Sequence, residues 1–186
     1  MKKNSIIAII LIVIAVVAIA VIINGQNKII NNGNGDVTVP EPAVPVQAGL
    51  PEAVAEKREA IARAAQNRSF EELASLASPI IRYTFGVNTE GGFEDDLRQS
   101  EENYHTSPFD LIPKLLSLPY AHENDLYVWP GLFLKTADEW TEEDIEHMRT
   151  LISDEEIEGY RQFGAYIGYR IAINENGEWV YYLAGD

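Results

Sequence analysis

YIGYRIAINENGEWVYYLA, running from Tyr166 to Ala184, is the stretch on which the fold turns. Two runs rich in Ile, Val, Tyr and Trp flank Asn174-Glu175-Asn176-Gly177, and the Asn-Gly pair supplies the positive φ that a tight reversal needs. The pattern predicts a hairpin of Tyr166 to Ile173 against Glu178 to Ala184, closing a small antiparallel sheet. Trp179, Tyr181 and Tyr182 would then divide between a buried and an exposed face.

Upstream of the hairpin, helix signals dominate. Ser153 with Glu156 and Thr141 with Asp144 each form a capping box. Behind them Ile157 and Tyr160, and Ile145, Met148 and Leu151 or Ile152, supply the inward stripes. Leu126 to Leu134 (LYVWPGLFL) has strand composition, but Pro130-Gly131 interrupts it, which implies an edge, a bulge or a turn between two short strands. Ser107-Pro108 opens a helix carrying Phe109, Ile112, Leu115 and Leu116, and Pro113 keeps it short or kinked. The acidic stretch Asn88 to Glu102 is expected to be partly helical, with Phe93 and Leu97 inward.

Nearer the start, Pro51 suits a first helical position, and Leu50, Val54, Ile61 and Ala65 share one face of a helix reaching about Gln66. Ser69 with Glu72 caps a second short helix carrying Phe70, Leu73 and Leu76, which Ser78-Pro79 stops. Ile80 to Phe85 then reads as a buried strand. The class is therefore α+β: residues 50–186 form one domain of short capped helices and an antiparallel sheet. The helix-first order, closing on a hairpin with Gly177-Glu178-Trp179, loosely resembles the cone-shaped fold of nuclear transport factor 2-like proteins. This chain shows fewer clear strands than that family and no diagnostic motif of it.

Two segments precede the domain. Ile6 to Ile23 is an unbroken run of Ile, Leu, Val and Ala. As a helix at ~1.5 Å per residue it spans roughly 27 Å, the thickness of a bilayer's hydrocarbon core. Lys2 and Lys3 lie before it, so the positive-inside bias puts residues 1–5 in the cytoplasm and the domain outside. Ala18-Ile19-Ala20 matches a signal-peptide cleavage pattern. However, Val21, Ile22 and Ile23 follow with no polar region before them, which favours an uncleaved anchor. Residues 24–49 pass from an Asn/Gly-rich half to Pro40-Glu41-Pro42-Ala43-Val44-Pro45 and read as a tether.

The net charge is −15. The first 49 residues carry three lysines against Asp36 and Glu41, which leaves −16 for residues 50–186. Such a domain repels nucleic acid and anionic headgroups. With no cysteine, neither a disulfide nor thiol chemistry is available, and the domain must hold together by its core. The composition suits a bacterial envelope protein. Asn67-Arg68-Ser69 matches a glycosylation acceptor but reads more simply as a turn between helices.

Candidates for chemistry are few. His105, His122 and His147 lie apart, without metal-ligand spacing, and no phosphate-binding loop, nucleophile elbow or cofactor motif occurs. The acidic run from Asp138 to Glu158 invites calcium, yet its spacing is not that of a calcium loop, and most of its carboxylates fall in first helical turns. Tyr127, Trp129, Phe133 and Trp140 are the preferred ligand-binding candidates, an aromatic surface for a sugar ring or a Pro-rich peptide, although strand alternation buries some of them. The expectation is a single-pass membrane protein whose outer domain binds a glycan or an envelope protein. The alternatives are an exported carboxylate-dependent hydrolase and a structural partner in an envelope complex.

Overall fold

The structure, a computed structural model, describes residues 41–83, 91–103 and 107–185. The expected membrane segment and its cytoplasmic lead lie outside these residues, as do His105 and the ends of the expected 80–85 and 88–102 elements. Among the described residues no helix is long and apolar enough to cross a membrane.

Helix α1 (Glu52–Gln66) and helix α2 (Phe70–Leu76) lead into strand β1 (Ala77–Arg82). Helices α3 (Gly92–Asn103) and α4 (Pro108–Ser117) follow, then strands β2 (Ala121–Glu123) and β3 (Leu126–Trp129). Short 3-10 turns at Gly131–Leu134 and Ala137–Glu139 lead to helices α5 (Glu142–Arg149) and α6 (Asp154–Phe163). The chain closes with the hairpin β4 (Arg170–Asn174) and β5 (Trp179–Leu183).

The helices start where their caps predict. Ser69, Thr141 and Ser153 each accept a hydrogen bond from the backbone N–H three residues on, and Asp144 and Glu156 return the bond to complete their boxes. Ser107 differs: its hydroxyl donates to Glu101, at 3.2 Å, rather than capping α4. Pro113 sits inside α4, which continues to Ser117 despite the hydrogen bond that a proline cannot donate. Burial of Phe109, Ile112, Leu115 and Leu116 outweighs that loss, at about 1.5–3 kcal/mol for each large side chain.

The sheet is mixed, in the order β1-β5-β4-β3-β2, and this corrects the antiparallel expectation. β1 lies parallel to β5, with Ala77 opposite Trp179, and the chain between them runs through α3 to α6 and β2 to β4. The remaining pairs are antiparallel. The β4–β5 register shifts between Ala172, paired with Tyr181, and Ile173, paired with Trp179. Plain alternation would put Trp179 and Tyr182 on opposite faces. The irregularity brings both into the core, opposite Ile173 and Ile171.

The main core joins those residues to Val54, Ile61, Leu73, Leu97, Ile112 and Leu115 from the helices. A smaller cluster of Leu132, Ile145, Met148, Ile157 and Tyr166 sits under α5 and α6. The expected interruption at Pro130-Gly131 ends the strand at Trp129, and Leu132 to Leu134 form no second strand. A cis Trp129–Pro130 bond is followed by the 3-10 turn.

The packed domain also begins earlier than the expected Leu50, so the last part of the expected tether 24–49 is not a free spacer. Val44 is buried in the main core. The Ala43 N–H donates to Glu59 at 2.7 Å, and Gln66 donates to the Ala43 carbonyl at 2.8 Å. Residues 43–48 form a strap laced to the domain by side-chain hydrogen bonds.

Candidate functional site

The strap helps to build a groove. One part of it, about 410 Å³, lies between Gln47, Ala48, Ser117, Pro119, Tyr120 and His147. A narrower part, about 150 Å³, shares Pro119, Tyr120 and His147 and continues past Pro130 and Leu132 to Lys135 and Asp144.

Each wall has a local cause. Gly131 lets the chain after β3 lie directly against the segment before β2, where a Cβ at that position would meet the Tyr120 carbonyl carbon at 2.6 Å. Its N–H donates to the Pro119 carbonyl at 2.7 Å. Tyr120 is half-buried, with Tyr127 and Trp129 behind it at ring separations of 5.7 and 5.8 Å. Its hydroxyl donates to the Ala48 carbonyl at 3.1 Å. Gln47 is held from both sides, accepting from Trp129 Nε1 at 2.9 Å and donating to the Leu118 carbonyl at 2.6 Å.

The polar end of the groove is a closed ion pair. Lys135 Nζ donates to both oxygens of Asp144, at 2.9 and 2.7 Å, and Asp144 Oδ2 also accepts from the Thr141 N–H and hydroxyl at 2.8 Å. Burial alone would push the Asp144 carboxyl up. The bonds from Lys135 and Thr141 outweigh it and hold the group below its ordinary range. A carboxylate so tied is a poor general acid, which weighs against a carboxylate hydrolase at this groove. His147, one turn further along α5 and half-buried, offers an imidazole that both donates and accepts.

The expected aromatic surface does not assemble. Trp129 is fully buried, and Tyr127 is buried with His122 stacked on it at 4.3 Å. Phe133 packs under the Arg170 guanidinium at 4.3 Å. Trp140 belongs to the smaller cluster, and its Nε1 is buried without a hydrogen-bond partner in the structure. The four therefore divide between two cores. Trp129 and Tyr127 support Tyr120 from behind instead of presenting their own faces, and Tyr120, Gln47 and Lys135 are the residues that sequence reasoning passed over. The Pro119-Tyr120 pair just ahead of a strand was the available signal.

The carboxylates between Asp138 and Glu158 are largely committed to caps and ion pairs. Glu139 bonds Thr136, Glu156 bonds Ser153, and Glu146 and Asp154 both hold Arg149. Among the described residues no group of three or more His, Asp or Glu side chains is placed to hold a metal ion. Comparison with protein-family models, with curated proteins and with solved structures finds no match to this chain.

Proposed function

We propose that this chain is a single-pass membrane-anchored protein whose domain lies outside the membrane and binds an uncharged envelope glycan in the groove beside Tyr120. The apolar run Ile6 to Ile23 and the lysines ahead of it support the anchor and its orientation. The observation that carries the binding site is Tyr120 itself, an aromatic ring half-open to the groove, stiffened from behind by two buried aromatics and flanked by Gln47, Ser117 and His147. An aromatic wall with hydrogen-bonding groups at its rim matches the two chemistries of a sugar ring, apolar C–H faces and a belt of hydroxyls. The negative charge of residues 50–186 favours a neutral ligand over an anionic one.

The test is titration of the whole chain, in phospholipid nanodiscs, with neutral cell-wall glycan fragments, followed by isothermal calorimetry. Wild type and Tyr120→Phe should bind alike, while Tyr120→Ala should lose tenfold or more in affinity. No heat with any glycan, or equal affinity in all three proteins, would remove the groove as a glycan site.

A further inference from the structure

A second crevice, separate from the groove, opens between the two hydrophobic clusters. Its volume is about 200 Å³. At roughly 30 Å³ for each water-sized group, that is room for about six or seven heavy atoms. Tyr160, Tyr166 and Tyr169 line it together with Leu111, Leu151 and Glu156.

The three rings are fixed. Tyr160 and Tyr166 stand perpendicular at 5.6 Å and form a corner. Tyr169 is stacked on the buried Tyr182 at 5.3 Å. The Tyr166 hydroxyl is already used, donating to the Tyr169 carbonyl at 2.9 Å, so its polar end needs nothing from a ligand. Gly168 lets that hydroxyl pack against the backbone, since a Cβ would fall 2.5 Å from the Tyr166 hydroxyl oxygen.

Glu156 adds a fixed negative charge. Its Oε2 accepts from the Ser153 N–H at 2.9 Å and from the Ser153 hydroxyl at 2.7 Å, and these bonds keep the carboxyl below its ordinary range and ionised. Glu156 and Tyr160 both line the crevice, and the Tyr160 hydroxyl is pushed up by burial and by the Glu156 charge.

We propose that this crevice binds a small organic cation with a trimethylammonium head, of the size and type of choline. Such a head donates no hydrogen bond and is weakly hydrated, so ring faces and one carboxylate suit it better than a set of acceptors. A metal ion would need several oxygen ligands, and Glu156 is the one carboxylate among the lining residues. The acidic domain raises the local concentration of cations, free choline more than a phosphate-bearing headgroup. Arg170, the basic side chain whose charge reaches Tyr166, is held over the Phe133 ring and against the Gly185 carbonyl.

The experiment is a titration of full-length protein in maltoside micelles with choline, glycerophosphocholine and 3,3-dimethylbutan-1-ol, the uncharged isostere of choline, read by tyrosine NMR shifts. Choline should bind at least fivefold more tightly than the isostere. Glu156→Gln, which retains the capping geometry, should weaken choline severalfold and leave the isostere unchanged. Tyr160→Ala should abolish choline binding, and Tyr160→Phe should restore it. Choline binding ahead of glycerophosphocholine identifies the free cation as the source, and the reverse order identifies a headgroup carrying the same trimethylammonium. Equal binding of choline and its isostere, or no binding of either, would overturn the cation site.

Discussion

The Arg58 guanidinium donates through Nε, at 3.0 Å, and again through Nη2 to the Leu116 carbonyl at the end of α4, and Nη2 also reaches the Pro45 carbonyl at 3.0 Å. A 4% exposed arginine thus joins helix α1, the negative end of α4 and the strap. Its guanidinium lies 6.0 Å from the Trp129 ring. Burial lowers its basicity, opposed by the Glu59 charge, yet a guanidinium stays protonated.

Arg58→Met should therefore cost about 3 kcal/mol, because it leaves the buried Leu116 carbonyl without its charged donor and frees the strap at Pro45. Arg63→Met, which removes an exposed pair with Glu59, should stay within about 0.5 kcal/mol. Urea unfolding of both variants decides the matter. Equal effects would mean that the strap and α4 do not depend on Arg58.

Gln47→Leu should loosen the strap. It strips Trp129 Nε1 and the Leu118 carbonyl of their partner together, a cost of about 1–3 kcal/mol. Val46 is 82% exposed in the docked strap, so the neighbouring bonds are accessible to a protease once docking weakens. The variant should be cut between residues 41 and 49 faster than wild type, and the Trp129 indole proton should exchange faster. Unchanged cleavage would show that the strap is held without Gln47.

Much of this architecture was legible because its signals are local. The capping boxes at Thr141 and Ser153 and the Asn-Gly reversal at 176–177 depend on neighbours within four residues. What escaped depends on distant partners. The parallel pairing of β1 with β5 joins residues about a hundred positions apart, and no short pattern encodes it. The strap looked like a spacer because its Pro-rich composition hides a few specific contacts. One clue was present. Arg58 lies four residues after Val54 and three before Ile61, within the apolar stripe of α1, and a charge there has to meet acceptors from elsewhere. The aromatic candidates failed as a surface because Trp129 was needed twice in the interior, as core volume and as a donor to Gln47.

Gly177→Ala should destabilise the closing hairpin. Gly177 has φ +77°, and a Cβ there would approach the Ala53 carbonyl oxygen to 2.7 Å. The positive φ and the contact with α1 act together, for about 1–3 kcal/mol and a midpoint lower by several degrees. Gly159→Ala, on the outer side of α6 with nothing within 4 Å of the added carbon, should leave the midpoint unchanged or raise it. A thermal scan of the pair checks both. Equal midpoints would mean that the turn relaxes without cost.

Asp144 makes the domain sensitive to acid. Its carboxyl titrates below the ordinary range in the folded protein, since bonds from Lys135 and Thr141 overcome the opposing effect of burial. A depressed folded value contributes stability above the unfolded value, near pH 4, and that contribution disappears as pH falls through the folded value. Asp144→Asn should lose about 1.5–3 kcal/mol at pH 7, the range for hydrogen bonds to a charged group. It should lose less than wild type on further acidification, so the two stability curves should converge below pH 4. Glu156 is depressed in the same direction by its bonds from Ser153, so some acid sensitivity must persist in the variant. Urea midpoints from pH 2 to pH 7 measure the convergence. Parallel curves would show that the Lys135–Asp144 pair adds nothing beyond the solvated charges.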